Sequence, residues 1–242
     1  MQNRDLCLYE VADRVAVLTF NRPDRLNGMT GDMEMTYYQR LLQAEADPDV
    51  RAIVVTGAGR AWCAGADLAA AEGGEPLPNT KLPTTTPLGI DKPVIAAING
   101  ACAGMGFGLA LMCDFRIAVD GAKFTTAFAQ RGLIAEYGLA WHLTQIAGRA
   151  VALDLLLTAR VAQSAEMQAL GVINRVAPAG ELMAEAMDLA RILADSVSPA
   201  SMATIKRQVL AHPQLSAEGA MAEADDLMRQ SLRGPDVHEG VT

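Results

Sequence analysis

Apolar residues fall in short, nearly unbroken runs through the first half of the chain and at helical spacing through the second. Residues 6–10 and 14–20 are β-branched or aromatic stretches on either side of Val11-Ala12-Asp13, which predicts a hairpin. Turn residues fill 21–28. Thr30 then stands where an N-cap belongs, ahead of an amphipathic helix to about Ala46 that Asp47-Pro48-Asp49 stops. Residues 52–56 and 93–98 are continuous apolar runs of the kind buried on both faces of a sheet. Residues 115–119 and 172–176 read as further strands. A helix to about Cys113 is expected after the second of these runs, and helical periodicity covers 137–147, 150–157 and 165–170. Past Pro178 the pattern is helical throughout, over 181–195, 199–211 and 217–232. Strands come early, helices late, and strand–turn–helix units recur, which predicts an α/β architecture. No periodicity orders residues 69–91, so that segment is expected to be a lid or pocket wall, or else a variable insertion.

Two glycine-rich stretches interrupt the pattern: Trp62-Cys63-Ala64-Gly65-Ala66-Asp67-Leu68 and Gly100-Ala101-Cys102-Ala103-Gly104-Met105-Gly106-Phe107-Gly108. Each follows an apolar run and opens a segment that reads as a helix. Small residues let the backbone approach a ligand, and a helix start leaves N–H groups unpaired. Two such groups converging on one oxygen form an oxyanion hole. The pair of turns therefore points to chemistry passing through an enolate or a tetrahedral oxyanion.

Composition narrows the setting. A chain of 242 residues, 51% hydrophobic and 20% charged, suits one domain or one domain with a helical appendage. The division expected is a core over residues 1–195 and a helical region over 196–242. A net charge of −8 offers no basic face to nucleic acid, although a few local cations and N–H groups can hold a polyanionic ligand. The first residues lack the basic-then-apolar pattern of a signal peptide, and no uncharged apolar run approaches the ~20 residues of a membrane span. The cysteines Cys7, Cys63, Cys102 and Cys113 form no CxxC pair, which argues against a structural metal or disulfides and fits a reducing compartment. A soluble cytoplasmic protein without nucleic-acid or membrane partners is expected.

Other chemistry is poorly served. No GxSxG elbow is present, and Gly104-Met105-Gly106-Phe107-Gly108 has GxGxG rather than GxGxxG spacing. His142, His212 and His238 pair with no nucleophile and read as structural. Cys63 and Cys102 border the two turns, where small residues are wanted in any case.

The ordered motifs resemble the enoyl-CoA hydratase/isomerase (crotonase) superfamily over nearly the whole chain. They are Val17-Leu18-Thr19-Phe20-Asn21-Arg22-Pro23, Gly57 through Leu68, Lys92-Pro93-Val94-Ile95-Ala96-Ala97-Ile98-Asn99-Gly100, Met112-Cys113-Asp114, and Gly171-Val172-Ile173-Asn174-Arg175-Val176. The resemblance implies a crotonase-like (ClpP-type) α/β spiral of ββα units with a C-terminal helical trimerisation region. It implies a homotrimer or dimer of trimers, and an acyl-CoA thioester substrate whose coenzyme A is part of the substrate and no separate cofactor. By the same resemblance, the backbone N–H groups of Ala64 and Met105 form the oxyanion hole for a thioester enolate. Ala64, Gly65, Ala66, Asp67 and Leu68 pass near the adenine and pantetheine arm. Arg22 and Arg25 are expected either to contact CoA phosphates or to be solvated loop arginines.

The chain departs from the hydratase pattern in one respect. The two positions where hydratases of the superfamily carry water-activating glutamates are Gly108 and Phe128, and neither residue exchanges a proton. Glu136, in Gly132-Leu133-Ile134-Ala135-Glu136-Tyr137-Gly138, lies on a segment the family uses as a pocket wall. Its apolar flanks would raise its pKa and make it a better base; otherwise it serves as a carboxylate at a helix N-terminus. The expected reaction is a single-carboxylate proton transfer of the double-bond isomerisation type. A hydratase with different water activation, an acyl-CoA hydrolase and a catalytically silent acyl-CoA-binding paralogue are the alternatives.

Overall fold

The structure is a computed structural model that describes residues 6–68, 82–234 and 236. β1 (Cys7–Ala12) and β2 (Val15–Phe20) form the expected antiparallel hairpin. Its turn is Asp13-Arg14, with φ of 50° and 60°, the positive-φ pair that suits two-residue hairpins. Val11 and Ala12 thus belong to the first strand and not to the turn. Beyond β2 the main sheet continues with β3 (Ala52–Gly57), β5 (Val94–Ile98), β7 (Phe115–Val119) and β10 (Arg175–Ala177), all parallel. The last strand is shorter and later than residues 172–176.

A smaller second sheet consists of β4 (Ala61–Cys63), β6 (Ala101–Ala103), β8 (Lys123–Thr125) and β9 (Ala162–Gln163). Strands β4, β6 and β8 pair in parallel, and β9 closes the edge antiparallel to β8. A strand of the main sheet therefore feeds a short strand of the second sheet three times, β3 to β4, β5 to β6 and β7 to β8. That is the repeating unit of the expected spiral.

The helices are α1 (Gly31–Ala46), α2 (Met105–Leu111), α3 (Leu139–Thr158), α4 (Ser164–Ala169), α5 (Leu182–Ser196), α6 (Pro199–Ala211) and α7 (Ala217–Ser231). Thr30 caps α1 as expected, its hydroxyl accepting from the Met33 N–H at 3.3 Å. Gly148 leaves helical geometry (φ 79°, ψ 164°) inside α3, which divides it near the boundary between 137–147 and 150–157. Thr86–Gly89 forms a 3₁₀ turn, while residues 69–81 of the patternless segment lie outside the described residues.

Parallel sheets need cover on both faces. On one, α5 lays Leu182, Ala186 and Ala190 at four-residue spacing over Val15, Ala52, Val54, Ile95, Ala97 and Ile117. On the other, Met33, Tyr37 and Leu41 of α1 pack with Leu18, Phe20, Ile53, Val55 and Trp62. Helices α6 and α7 contribute no buried residue. Among the described residues no helix is long and apolar enough to cross a membrane.

Arg116, in β7, is 6% exposed and turns inward. Its guanidinium donates to Cys113 O at 2.5 Å and to Val172 O at 2.8 Å, and its backbone N–H donates to Asn174 Oδ1 at 2.8 Å. It thereby ties the chain after α2 to the chain before β10. Arg116→Met keeps the aliphatic stem but strands those carbonyls, at a cost of about 2–5 kcal/mol measured by urea denaturation.

Candidate active site

Parallel pairing sets β4 beside β6, with Ala61 opposite Ala101 and Cys63 opposite Cys102, so both glycine-rich turns leave the second sheet at one edge. The turns then touch through backbone. A Cβ on Gly106 would lie 2.5 Å from Cys63 O and 2.8 Å from Cys63 Cβ. Gly65 has φ of 101°, and a Cβ there would lie 3.1 Å from Ala103 O. Their small residues thus bring the turns against each other before any ligand is considered.

Three amides of the first turn are taken within the protein. Ala64 N–H donates to Leu26 O at 3.1 Å, Asp67 N–H to Met29 O at 2.9 Å, and Leu68 N–H to Ala66 O at 3.1 Å. This corrects the expectation for Ala64, whose N–H is spent inside the protein and is not free to meet a substrate oxygen. Met29 N–H also donates to Gly65 O at 2.8 Å, so Ala66 is the residue bridged to Met29. In a parallel bridge the flanking residues carry both bonds, and the bridged residue's own N–H faces the other way. Among the described residues no backbone acceptor takes it. In the second turn, Gly104 N–H donates to Thr125 O at 3.0 Å, and the intrahelical ladder resumes with Gly108 N–H to Gly104 O at 3.1 Å. Met105 is the first residue of α2, where a helix supplies no partner for the N–H.

The loop before α1 holds this arrangement. Asn27 is fully buried, accepts from Arg22 N–H at 2.8 Å and donates to Ala58 O at 3.0 Å and Ala61 O at 2.7 Å. Asn99 donates to Gly57 O at 2.8 Å and to Gly59 O at 2.9 Å. Arg22 donates to Gly28 O and forms an ion pair of 2.9 Å with Asp67, with both side chains largely enclosed. The two expected substrate contacts therefore hold each other, and Arg22 belongs to the scaffold of the turn. Arg25 and Leu68 are exposed.

The remaining expected residues surround α2. Gly108 is buried, and a Cβ there would lie 3.0 Å from Tyr137 Cβ. Phe128 is buried, with its ring edge 3.9 Å from where a Gly104 Cβ would stand. Glu136 precedes α3, and its carbonyl accepts from Leu139 N–H at 3.0 Å. Its side chain reaches solvent, yet the protein around it desolvates the carboxylate enough to raise its pKa above the ordinary glutamate value.

Sequence reading missed a second carboxylate. Glu34 of α1 is fully buried, and its Oε1 accepts from Tyr38 OH at 3.0 Å and from Tyr137 OH at 2.8 Å. Both phenols are driven to stay protonated, first by burial and then by the Glu34 charge. The spacing of Glu34 and Tyr38, one helical turn apart, was the available signal; Tyr137 lies 103 positions away.

Other candidates fall away. Burial pushes the Cys63 thiol up to about 12 and raises that of Cys102, so neither forms a thiolate at neutral pH. Burial, then Arg116, lowers the His142 pKa, which keeps that ring neutral. Among the described residues no group of three acidic, histidine or cysteine side chains is placed to hold a metal ion.

A spiral of ββα units with two facing backbone turns defines a class of enzymes whose site is built on main-chain donors. The chain belongs to the enoyl-CoA hydratase/isomerase family, whose profile it matches over residues 10–242. It is 34% identical to the 1,2-epoxyphenylacetyl-CoA isomerase of Escherichia coli over 98% of this chain and 94% of that protein. An enoyl-CoA hydratase from Mycobacterium marinum is 45% identical, with a TM-score of 0.76, over 87% of this chain and all of that one. The enoyl-CoA hydratase of Mycobacterium tuberculosis H37Rv superimposes with a TM-score of 0.91 at 27% identity, covering 98% of this chain and 94% of that chain.

Because a Cβ on Gly106 would meet the Cys63 carbonyl at 2.5 Å as well as the Cys63 side chain, Gly106→Ala must part the two turns. The expected result is loss of at least about tenfold in acyl-CoA turnover with a smaller effect on stability, read from steady-state rates alongside a melting curve.

Proposed function

We propose that this member of the family transfers a proton on an enoyl-CoA thioester and so moves its double bond. The Ala66 and Met105 N–H groups donate to the thioester oxygen as it becomes an enolate. Glu136 removes the proton and returns it to a different carbon. Each oxyanion-hole donor is worth roughly 3–4 kcal/mol in such sites. Coenzyme A enters as part of the substrate, and no further cofactor is required. Arg25 and Leu68, both exposed beside the first turn, are assigned to the CoA portion, and the protein is expected to assemble as a homotrimer or a dimer of trimers.

The observation that carries this reading is the pair Gly108 and Phe128. Hydration of the double bond needs two carboxylates on one water, and these positions offer a glycine packed under Tyr137 and a phenyl ring. One carboxyl group is enough to carry a proton between two carbons. The isomerase named among the relatives agrees with this reading, while the hydratases named there support water addition with a different activating group.

Enoyl-CoA thioesters incubated in deuterated water separate the readings. Deuterium in an isomerised product supports the proposal. Water addition means hydratase, free coenzyme A means hydrolase, and no change means an acyl-CoA-binding protein without turnover. Glu136→Gln is expected to lower proton exchange about 100-fold or more while acyl-CoA affinity, measured by calorimetry, stays within about twofold.

The pH profile has a definite sign. Glu136 acts as base in its ionised form, so the rate falls as pH drops through its pKa. Partial desolvation raises that pKa, so the acid limb of kcat has its midpoint above the ordinary glutamate value. A midpoint at or below that value overturns the assignment of Glu136 as the base.

A further inference from the structure

Glu34 is buried, charged and far in sequence from the residues assigned to the chemistry, which raises the question of what it holds. Its carboxylate oxygen receives the Tyr137 hydroxyl at 2.8 Å and the Tyr38 hydroxyl at 3.0 Å. Tyr137 adjoins Glu136 and has φ of 53°, a left-handed conformation that a tyrosine adopts only when its surroundings impose it. Its Cβ packs on Gly108, in the helix that Met105 opens, so the residue is pinned at both ends of its side chain. Immediately after it, Gly138 also has positive φ, and α3 begins.

We infer that Glu34 is a positioning residue for the active site: through the Tyr137 hydroxyl it fixes the left-handed turn that sets the direction of Glu136. This inference rests on the proposed role of Glu136 and adds the element that aims it. The Gly108 position belongs to the same device, because any larger residue there would push on Tyr137 Cβ. The titratable groups meeting at this junction are Glu34 and Tyr38 from α1 and Glu136 and Tyr137 from the segment itself; α2 presents Gly108 there.

Tyr137→Phe removes one oxygen and keeps the ring, so it tests the brace with little risk to folding. The expected result is a fall in kcat for proton exchange of about tenfold or more, with KM within about twofold. Glu34→Gln keeps an oxygen that accepts both phenols and should retain most of the rate, whereas Glu34→Ala should behave like Tyr137→Phe or worse. A direct readout follows the Glu136 carboxyl carbon by NMR titration in wild type and Tyr137→Phe. If the brace aims Glu136 into partly desolvated surroundings, its pKa falls toward the ordinary glutamate value when the brace is cut.

Unchanged kcat together with an unchanged Glu136 titration in Tyr137→Phe overturns the inference. So does a loss of melting temperature in both Tyr137→Phe and Glu34→Ala with kcat, KM and the titration unmoved, since that is a purely structural role. Glu136→Gln keeps the two ideas apart. If it stays fully active, the proposed function fails, and the NMR titration still decides whether Glu34 positions Glu136. If it is inactive while Tyr137→Phe is normal, the positioning role alone fails.

Discussion

The site depends on the contact between Gly106 and Cys63. A Cβ on Gly106 would stand 2.5 Å from the Cys63 carbonyl, so main chain limits the approach of the turns that carry the Ala66 and Met105 amides. Side-chain donors would rotate among rotamers; these amides are locked by two parallel ladders. The β3–β5 pairing, with Ile53 opposite Val94, places the long strands, and the β4–β6 pairing carries the register onward to the turns. A desolvated N–H without a partner costs about 1–3 kcal/mol. Burial supplied by the main sheet, closed on both faces, offsets costs of that size. In the proposed reaction, such unmet hydrogen-bonding capacity serves an oxygen that gains charge.

Two carboxylates near this site have opposite environments and therefore different uses. Glu34 is wholly enclosed, and a buried charge is tolerable when it is fully hydrogen-bonded. Two phenolic donors on Oε1 supply part of that, and the charge in turn holds the phenols protonated. Such a group is a poor proton carrier and a good anchor. Glu136 keeps contact with water, is only moderately desolvated, and stands on irregular chain ahead of α3. It can change protonation state without unbalancing a packed core. Environment, more than residue type, separates the anchor from the proposed acid–base group.

Much of this was legible in the amino-acid order. The runs that became β3 and β5 are apolar without alternation because both faces are covered, and Thr30, Pro199 and Ser216 mark helix starts by local chemistry. The second sheet was not legible. Its strands are two or three residues long, and what makes them strands is pairing with segments far away in sequence. The hairpin turn was misplaced for a related reason: nothing in Val11-Ala12 forbids a turn, and the register of β1 on β2 decides the matter. At the site, the two glycine-rich turns were visible. Which amide of the first turn stays free was not, because that depends on Leu26 and Met29 reaching across from another loop. Glu34 looked like an ordinary polar residue of a helix, since its partner Tyr137 is brought to it by the tertiary fold alone.

The loop from Arg22 to Thr30 explains why the free donor is Ala66 and not Ala64. It takes Ala64 N–H on Leu26 O, gives Met29 N–H to Gly65 O, and takes Asp67 N–H on Met29 O. Asn27 binds the same loop to Ala61, and Arg22 binds it to the Asp67 side chain. The two Met29 bonds make a short parallel bridge at Ala66, in which the flanking residues Gly65 and Asp67 carry the bonds and the bridged residue's own N–H does not. The amides on the loop side are consumed, and the Ala66 N–H is directed away from the loop. Arg22 thus supports the proposed oxyanion site from the scaffold: its charge is neutralised by Asp67, and the pair ties the loop to the turn that carries the Ala66 amide.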